Sequence, residues 1–412
     1  MVNKAILVIC DGLGDRPIPQ LGDLTPLEAA RTPNLDQLAA QSECGIMCAL
    51  GRGVRPGSDV SHLAIMGYDP VAEYPGRGPI EVADLGVELH DGDIALRANM
   101  GTVEGPNKVI KDRQAGLKDA TGGPPPSIQP LTAALDGIEI DGVKFIVKAG
   151  TVYRAGVIMR GEGLSDAITD ADPHEGGIPV WPIKPKDNTP QAARTAAVLA
   201  KFLDKAHQIM APHPFNTGRK LPANYLLVRG AGKYRKLQSF ADRHGLNACC
   251  IAGGGLYRGI GALLGMKVIH VPGATGSFDT DIKAKFRAAL DAARQYDFIF
   301  VHVKATDTYA EKKNFEGKRQ FIEKIDEAAA LLTGLSSQTL FVMTADHSTS
   351  SELGMHTADP VPIMFRGDGV RVDEVKAFGE RACARGGLGF MSGRDVMQHV
   401  LNLMGKLHLI GA

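Results

Sequence analysis

The sequence predicts an α/β protein built around a mostly parallel sheet, with an α+β region inserted into it. Unbroken apolar runs rich in β-branched residues recur near both ends of the chain and end in turns, which is typical of buried parallel strands. Helical patterns separate these runs in the carboxyl-terminal part, and such alternation indicates an α/β unit. The middle of the chain instead shows short strand patterns separated by turn signals such as Asp91-Gly92 and Asp141-Gly142.

The core elements are predicted in the following order. The first strand covers 4–10 and is followed at once by Asp11-Gly12, and a helix over about 35–41 comes next, with Pro33 near its start. Five later apolar runs are predicted as further strands of the core sheet, namely 225–228, 247–252, 267–271, 298–303 and 339–343. Helices are predicted between these strands over 235–244, 279–296 and 315–333.

These patterns predict a core domain made from both ends of the chain, 1–75 and 221–412. A single inserted substrate domain is expected at 76–220. One long helix is predicted inside the insert over 189–208, begun by Asn188-Thr189-Pro190.

Composition excludes several classes of protein. The 412 residues include 46 Lys plus Arg and 46 Asp plus Glu, so the basic excess of a general nucleic-acid binder is absent. No stretch approaches 18 apolar residues and no signal-peptide pattern is found, so we expect no membrane contact and a cytoplasmic location. The six cysteines are scattered and are expected to be reduced. Glycine supplies 49 residues, above its usual share of about 7%, which favours tight turns and backbone close to ligands.

Acidic residues and histidines follow the carboxyl ends of three predicted core strands, and one more histidine lies on the loop after the last of them. They are Asp11, Asp307, Asp346, His347 and His356. Such strand ends meet at one edge of an open α/β sheet, where ligands bind. Carboxylates with imidazoles suit Zn²⁺ or Mn²⁺, and several acids together suggest two ions. For one aspartate alone a helix cap or an ion pair is an equally good interpretation, and the grouping favours metal.

Ser58 is predicted at the start of a helix because it follows Pro56-Gly57. Exposed N–H groups and the helix dipole at that position favour a phosphate or an ionised oxygen. A serine there is either an N-cap or a nucleophile activated by a metal. His62 lies on the same helix face, and by itself it is more often structural than catalytic.

Arginines recur among glycines and at predicted strand ends in the middle of the chain. They include Arg77, Arg97, Arg113, Arg154 and Arg229. Guanidinium groups bind phosphate and carboxylate in bidentate fashion, so these residues are candidates for holding an anionic substrate. A solvated surface arginine is the alternative for each of them.

Short motifs recur along nearly the whole chain. They include Asp11-Gly-Leu-Gly-Asp15, Gly57-Ser-Asp-Val-Ser-His62, Gly76-Arg-Gly-Pro79, His302-Val-Lys-Ala-Thr-Asp307, Asn314-Phe-Glu-Gly-Lys318, Ala345-Asp-His-Ser348 and Asp359-Pro-Val-Pro362. In order and number they resemble the archaeal-type cofactor-independent phosphoglycerate mutases, members of the alkaline phosphatase superfamily. The resemblance implies an alkaline-phosphatase-like core with helices on both faces of a mostly parallel sheet, plus an inserted α+β substrate domain.

The same resemblance implies an isomerase that interconverts 3- and 2-phosphoglycerate through a phosphoserine at Ser58, without 2,3-bisphosphoglycerate as cofactor. It implies Asp11, Ser58, Asp346 and His347 as ligands of one Mn²⁺, with Zn²⁺ as the alternative metal. Asp307 and His356 match ligands of a second ion. The groups implied to hold a small phosphorylated carboxylic acid are His62, Arg77, Arg97, Asp112, Arg113 and Arg229. The oligomeric state is left open, with a homo-oligomer as one outcome.

The first departure from the family pattern is Glu311, which stands four residues after Asp307 where the family has a histidine. A carboxylate can still bind Mn²⁺, so Glu311 is a candidate ligand. The alternative is a surface pair with Lys312 or Lys313.

Two further departures lie in the insert. Gln114 and Leu117 stand where the family has arginines, and Val152 and Tyr153 stand where Glu-His is usual. Three hypotheses therefore stay open: the mutase, a phosphotransferase or phosphohydrolase of the same superfamily with another small substrate, and a non-catalytic relative. For the second, the candidates are a phosphonate or phosphinate analogue of phosphoglycerate, or homoserine phosphorylation. The intact set around Ser58 argues against the third.

Overall fold

A computed structural model describes residues 2–117, 125–407, 409 and 411. The chain divides into two compact units, a core unit of Met1–Tyr74 with Gln238–Ala412 and an inserted unit of Pro75–Leu237. The second boundary thus follows Leu237, whereas the sequence placed it at 220.

The described residues contain sixteen strands. They are β1 (Lys4–Cys10), β2 (Glu43–Cys48), β3 (Ile94–Glu104), β4 (Val109–Asp112), β5 (Glu139–Ile140), β6 (Val143–Ala149), β7 (Arg154–Arg160), β8 (Tyr225–Lys233), β9 (Ala248–Ile251), β10 (Lys267–Val268), β11 (Phe298–Val303), β12 (Thr339–Thr344), β13 (Ser348–Ser350), β14 (Met355–Thr357), β15 (Val361–Arg366) and β16 (Gly389–Ser392).

Thirteen α-helices lie in the same described ranges, together with 3₁₀ turns at Pro19–Leu21 and Pro214–Asn216. The helices are α1 (Pro26–Ala29), α2 (Pro33–Ala39), α3 (Ser58–Ile65), α4 (Arg77–Ala83), α5 (Gln129–Leu135), α6 (Pro190–Met210), α7 (Phe240–His244), α8 (Gly255–Leu263), α9 (Ile282–Ala292), α10 (Ala305–Glu311), α11 (Phe315–Thr333), α12 (Glu380–Cys383) and α13 (Gly393–Leu403).

The core unit contains an eight-stranded sheet in the order β10-β9-β11-β1-β12-β15-β2-β16. Within the described residues β15 is antiparallel to both of its neighbours, and every other pairing in the sheet is parallel. The predicted α/β class with a mostly parallel sheet is confirmed.

Both faces of this sheet are covered. Successive side chains of a strand point to opposite faces, and every residue of β11 and all but the first of β1 are buried. Helices α2, α9 and α11 pack together as one group, and α3, α8 and α13 pack together as another. The central strands therefore read as unbroken apolar runs in the sequence.

The carboxyl ends of β1, β11 and β12 lie side by side, because β1 pairs in parallel with both of the other strands. Asp11 follows β1 directly, and Gly12 has a φ of +59°. A Cβ on Gly12 would lie 2.5 Å from Thr349 Oγ1 and 2.7 Å from the Cβ of Asp307. Glycine is required here because the backbone is left-handed and approaches its neighbours closely.

The inserted unit has an antiparallel sheet in the order β4-β3-β7-β6-β5, with β8 also paired to β3. Helix α6 packs on β8 over one apolar core, and Phe145 stacks on Phe202 there at 3.9 Å. Helix α4 packs on β3, β7 and β8, over a smaller cluster around Ala95. The prediction that 225–228 belongs to the core sheet is wrong. This strand is buried on both faces inside the insert, and such a strand has the same apolar pattern as a parallel core strand.

No helix in the described ranges is long and apolar enough to cross a membrane. All six cysteines lie within those ranges and are buried.

Candidate active site

The carboxyl edge of the core sheet brings Asp11, Asp346 and His347 together, all of them buried. His347 Nε2 lies 3.2 Å from Asp346 Oδ2 and 3.5 Å from Asp11 Oδ1. The potential ligand atoms of the three residues all lie within 4.8 Å of one another. The amide of Gly12 donates to Asp346 Oδ1 at 3.0 Å, which fixes that carboxylate against the turn after β1.

A second group of potential ligands adjoins the first and shares His347. Asp307, His347 and His356 also present ligand atoms within 4.8 Å of one another. His356 Nε2 lies 3.4 Å from Asp307 Oδ1, and the rings of His356 and His347 stack at 3.6 Å. Thr349 Oγ1 donates to Asp307 Oδ1 at 2.7 Å.

Two buried carboxylate oxygens in the first group show that a cation fits. Asp11 Oδ1 and Asp346 Oδ2 accept no hydrogen bond from any of the described residues. Leaving a charged acceptor buried and unsatisfied is costly, so buried carboxylates are normally paired or coordinate metals. Oxygen and imidazole donors together are the set that Mn²⁺ and Zn²⁺ take.

The charges at this edge depend on one another. Burial would raise the pKa of Asp11, but Lys304, His302 and His347 hold it well below its ordinary value. Burial would lower the pKa of His347, but Asp346 and Asp11 raise it to about 9. The site therefore carries carboxylates that stay ionised and a histidine that keeps its proton to a higher pH than usual, because the carboxylates stabilise its positive charge.

Ser58 is the first residue of α3, with Gly57 as the N-cap. Its Oγ lies 3.1 Å from His347 Nε2, and its carbonyl accepts a hydrogen bond from His62 Nδ1 at 2.6 Å. The side chain of His62 is fully buried, and its Nδ1 also lies 3.6 Å from Asp346 Oδ2, so it contacts both the backbone of Ser58 and a carboxylate of the site. The substrate-holding role that the sequence suggested for His62 stays a prediction.

Glu311, at the end of α10, lies outside both groups of potential ligands. Its side chain is exposed, and partial desolvation together with the charge of Asp307 raises the pKa of its carboxyl. Its role as a metal ligand therefore stays a prediction.

The inserted unit contains its own cluster of arginines. Arg97 and Arg77 both donate to Glu81 Oε1, at 2.7 and 2.8 Å. Arg229 lies opposite Arg97 in the register of β3 and β8. The Nε atoms of Arg97 and Arg229 are buried without a hydrogen-bond partner among the described residues. Burial, followed by the charge of Arg97, lowers the pKa of Arg229 to about 10.

A fully buried aspartate on a loop of the same unit binds two of the arginines. Arg113 forms a bidentate pair with Asp172 at 2.9 and 2.7 Å, and Arg229 Nη1 lies 3.5 Å from Asp172 Oδ2. Arg229 also contacts His174 Nδ1 at 2.8 Å. Two guanidinium groups thus gather around one buried carboxylate, a local positive excess suited to an anion.

Asp112 and Leu117, which the sequence analysis also singled out, stabilise the structure of the inserted unit. Asp112 Oδ1 accepts the amides of Gln114 and Gly116, which closes a turn. Leu117 is fully buried in the hydrophobic core of the unit. Its side chain therefore packs in the apolar interior of the unit.

Comparison with known proteins decides the family. Residues 3–403 match the family model of the Metalloenzyme superfamily. The chain is 43% identical to 2,3-bisphosphoglycerate-independent phosphoglycerate mutase 1 of Methanocaldococcus jannaschii, over 100% of this chain and 99% of that protein. It is 44% identical to the corresponding protein of Archaeoglobus fulgidus, over 99% of each.

The chain belongs to the cofactor-independent phosphoglycerate mutase family. Its fold is also similar to a solved structure, the cofactor-independent phosphoglycerate mutase from Thermoplasma acidophilum, with a TM-score of 0.71 and 36% identity. That match covers 98% of this chain and 100% of that one. The recognition made from the sequence motifs is confirmed.

Three residues around Asp11 were missed by the sequence analysis of this mutase-family chain. Tyr257 donates to Asp11 Oδ2, and His302 Nε2 and Lys304 Nζ each lie 3.2 Å from the same oxygen. Lys304 directly follows β11 and His302 is the next-to-last residue of that strand, so the sequence placed both near the strand end but assigned neither a role at the site. Tyr257 is far from Asp11 in the sequence and gave no signal.

Proposed function

We propose that this chain is a metal-dependent phosphoglycerate mutase that interconverts 3-phosphoglycerate and 2-phosphoglycerate through a phosphoserine at Ser58. The observation that carries the proposal is the position of Ser58 Oγ, at a helix start and 3.1 Å from His347, in a chain that aligns end to end with named mutases. A serine used only as a helix cap would not need to adjoin a cluster of carboxylates and histidines.

The chain's own residues position the nucleophile. The first amides of helix α3 can donate to an anion bound beside Ser58. His62 Nδ1 donates a hydrogen bond to the Ser58 carbonyl and so fixes the backbone at this position. Ser58 Oγ bonds to phosphorus as the P–O bond to the 3-oxygen of glycerate breaks, and the proton that Oγ gives up ends on that 3-oxygen. In the return step the 2-oxygen of glycerate bonds to phosphorus, the bond from phosphorus to Ser58 Oγ breaks, and the proton of the 2-hydroxyl ends on Oγ, which regenerates the serine hydroxyl. No external phosphate donor is consumed, because the group returns to the same glycerate.

The metal-binding residues in this proposal are Asp11, Ser58, Asp346 and His347 for one ion, and Asp307 and His356 with Glu311 for a second. Mn²⁺ is the proposed metal, with Zn²⁺ as the alternative. When bound, such cations supply Lewis-acid charge neutralisation for phosphoryl transfer and favour the ionised serine. The two unsatisfied oxygens, Asp11 Oδ1 and Asp346 Oδ2, support this assignment.

The arginine cluster of the inserted unit is proposed to hold the anionic groups of the substrate. Arg97 and Arg229 each keep a buried Nε without a partner among the described residues, and Arg113 is held in place by Asp172. A carboxylate or phosphate of phosphoglycerate satisfies such donors in bidentate fashion.

The test uses the full chain loaded with MnCl₂ and supplied with 3-phosphoglycerate, with 2-phosphoglycerate detected through coupled enolase. We expect turnover in wild type and a loss of kcat of at least about 10³-fold in Ser58→Ala. The matched control is Ser61→Ala, because Ser61 is a fully buried serine on the same helix. Mass spectrometry of quenched wild-type protein should find a phosphoryl group on Ser58.

Absence of turnover in a chain with occupied metal sites would contradict the proposal. The alternative function, phosphoryl transfer or hydrolysis on another small substrate, would then be tested with phosphonate analogues of phosphoglycerate. Turnover that survives in Ser58→Ala would instead contradict the phosphoserine step.

A further inference from the structure

The two oxygens of the Asp11 carboxylate have opposite surroundings. Oδ2 accepts a hydrogen bond from the Tyr257 hydroxyl, and the donors His302 Nε2 and Lys304 Nζ lie 3.2 Å from it. Oδ1 accepts no hydrogen bond from the described residues, and the imidazole atom His347 Nε2 lies 3.5 Å from it. One oxygen of this carboxylate therefore has several donors around it, while the other accepts no hydrogen bond from the described residues.

Two of these donors form a rigid pair. The rings of Tyr257 and His302 stack at 3.3 Å between centroids with an interplanar angle of 17°. Tyr257 comes from α8 and His302 from β11, and both side chains are buried. An ionised carboxylate oxygen can only accept hydrogen bonds, so His302 must carry its proton on Nε2. Its Nδ1 is then unprotonated, and it has no hydrogen-bond partner among the described residues.

We propose that Tyr257 and His302 are positioning residues for metal binding: together they clamp Asp11 Oδ2, so that Oδ1 is presented to the cation as a single, fixed ligand atom. The inference rests on the metal binding included in the proposed function.

The physical reason is that a carboxylate can rotate about its Cβ–Cγ bond. Donors to one oxygen remove that freedom before the metal arrives, so less ordering is required when it binds. Lys304 contributes a charge to the same oxygen, but it also pairs with Asp307 Oδ2 at 2.5 Å and its side chain is partly exposed. Tyr257 and His302 each form a hydrogen bond to Asp11. Among the described residues, neither forms a hydrogen bond to another carboxylate of the site.

The test measures binding of Mn²⁺ alone to the metal-stripped full chain by competition with a chelating dye. Tyr257→Phe keeps the ring and removes only the hydroxyl. We expect the Kd for the tightest Mn²⁺ to rise about tenfold or more, the usual cost of losing an outer-shell partner of a metal ligand. The control is Tyr68→Phe, because Tyr68 is a buried tyrosine of the core unit whose hydroxyl donates to the carbonyl of Gln238 at 2.9 Å.

If the Tyr257 hydroxyl served only packing, Tyr257→Phe and Tyr68→Phe would lower the melting temperature of the metal-free chain equally. Neither variant would then change the Kd for Mn²⁺. That result would overturn the inference. Failure of wild type itself to bind Mn²⁺ would count against the proposed function instead, so the two failures are distinguishable.

His302 gives an independent second arm if Tyr257→Phe does not fold. The side chain of His302→Gln can still donate from a position near Nε2, whereas that of His302→Leu cannot. We expect the Gln variant to keep Mn²⁺ affinity within about threefold of wild type and the Leu variant to lose about tenfold. Equal Mn²⁺ affinity of the Leu variant and wild type would overturn the inference.

Discussion

Arg97 and Arg229 are register partners on the antiparallel strands β3 and β8, so their guanidinium groups leave the same face of the sheet. Like charges placed directly opposite each other destabilise a sheet, and burial together with Arg97 lowers the pKa of Arg229 to about 10. The fold therefore carries a pair of repelling cations that an anion would stabilise.

The first prediction concerns Arg229→Gln. Loss of a bidentate donor is expected to lower kcat/KM for phosphoglycerate at least about tenfold. Relief of the repulsion from Arg97 should offset the lost contacts to Asp172 and His174, so the free energy of unfolding should change by less than about 1 kcal/mol. Arg160→Gln is the matched control, because Arg160 forms a pair with Asp93 within the same unit. That control should lose about 1–2 kcal/mol of stability and keep its kcat/KM. The opposite pattern would show that Arg229 is structural.

The second prediction concerns Lys304→Met. The ammonium lies 3.2 Å from Asp11 Oδ2 and 2.5 Å from Asp307 Oδ2, so its loss leaves two buried carboxylates less well compensated. In EDTA, urea unfolding should show a loss of about 2 kcal/mol. Saturating Mn²⁺ should reduce this difference in stability between Lys304→Met and wild type, because a bound cation compensates the charge of the same two carboxylates through their other oxygens. If Mn²⁺ does not change the difference in the free energy of unfolding between Lys304→Met and wild type, this explanation is wrong. The control is Lys324→Met, at an exposed position of α11, which should be as stable as wild type.

The third prediction concerns Glu311, the proposed replacement for a histidine ligand. Glu311→Ala is expected to weaken binding of the second ion at least tenfold, and Glu311→His to favour Zn²⁺ over Mn²⁺. Metal content after dialysis, measured by mass spectrometry of the elements, checks both. Glu327→Ala is the control, since the Glu327 side chain is 70% exposed on α11. Equal metal content in Glu311→Ala and wild type would remove Glu311 from the ligand set.

The fourth prediction is a pH dependence that originates at Glu380. Burial, with a smaller contribution from Glu28, raises the pKa of Glu380 to about 7, although Thr25 Oγ1 and the Asp15 amide donate to its carboxylate. Because the folded-state pKa lies above the ordinary 4.5, the folded chain holds this proton more tightly. This contribution to stability is present at low pH and is lost as the pH rises through 7.

Glu380→Gln should therefore be more stable than wild type at pH 8, by about 1–3 kcal/mol in urea unfolding. The advantage should shrink toward pH 5. The exposed control Glu374→Gln should show no such dependence on pH. An advantage of the same size at both pH values would mean that protonation of Glu380 is not its source.

The core sheet was predictable because buried parallel strands produce a simple sequence pattern, a run of mostly apolar residues. Predominantly apolar runs mark strands buried on both faces, and the residue types that follow β1, β11 and β12 led to Asp11, Asp307, Asp346 and His347. The same rule misplaced 225–228, because β8 is also covered on both faces although it lies in an antiparallel sheet.

The surroundings of the ligands were less predictable. Tyr257 and Asp11 are 246 positions apart, and no local spacing records a contact of that kind. The helix face of Ser58 and His62 was predicted correctly from their spacing of four, yet only the structure shows that His62 Nδ1 points at a backbone carbonyl. Side-chain direction depends on packing from other elements, which periodicity does not encode.

The split of the core unit has a consequence for how the chain is assembled during synthesis. Strand β1 pairs with β11 and β12, so Ile6 meets Ile299 and Phe341. Ile299 follows Ile6 by 293 residues and Phe341 follows it by 335, whereas every strand of the inserted unit precedes Gln238. On a ribosome the insert can complete its own sheet while β1 is still an unpaired apolar strand. The nascent amino-terminal segment must therefore avoid aggregation until the last third of the protein emerges.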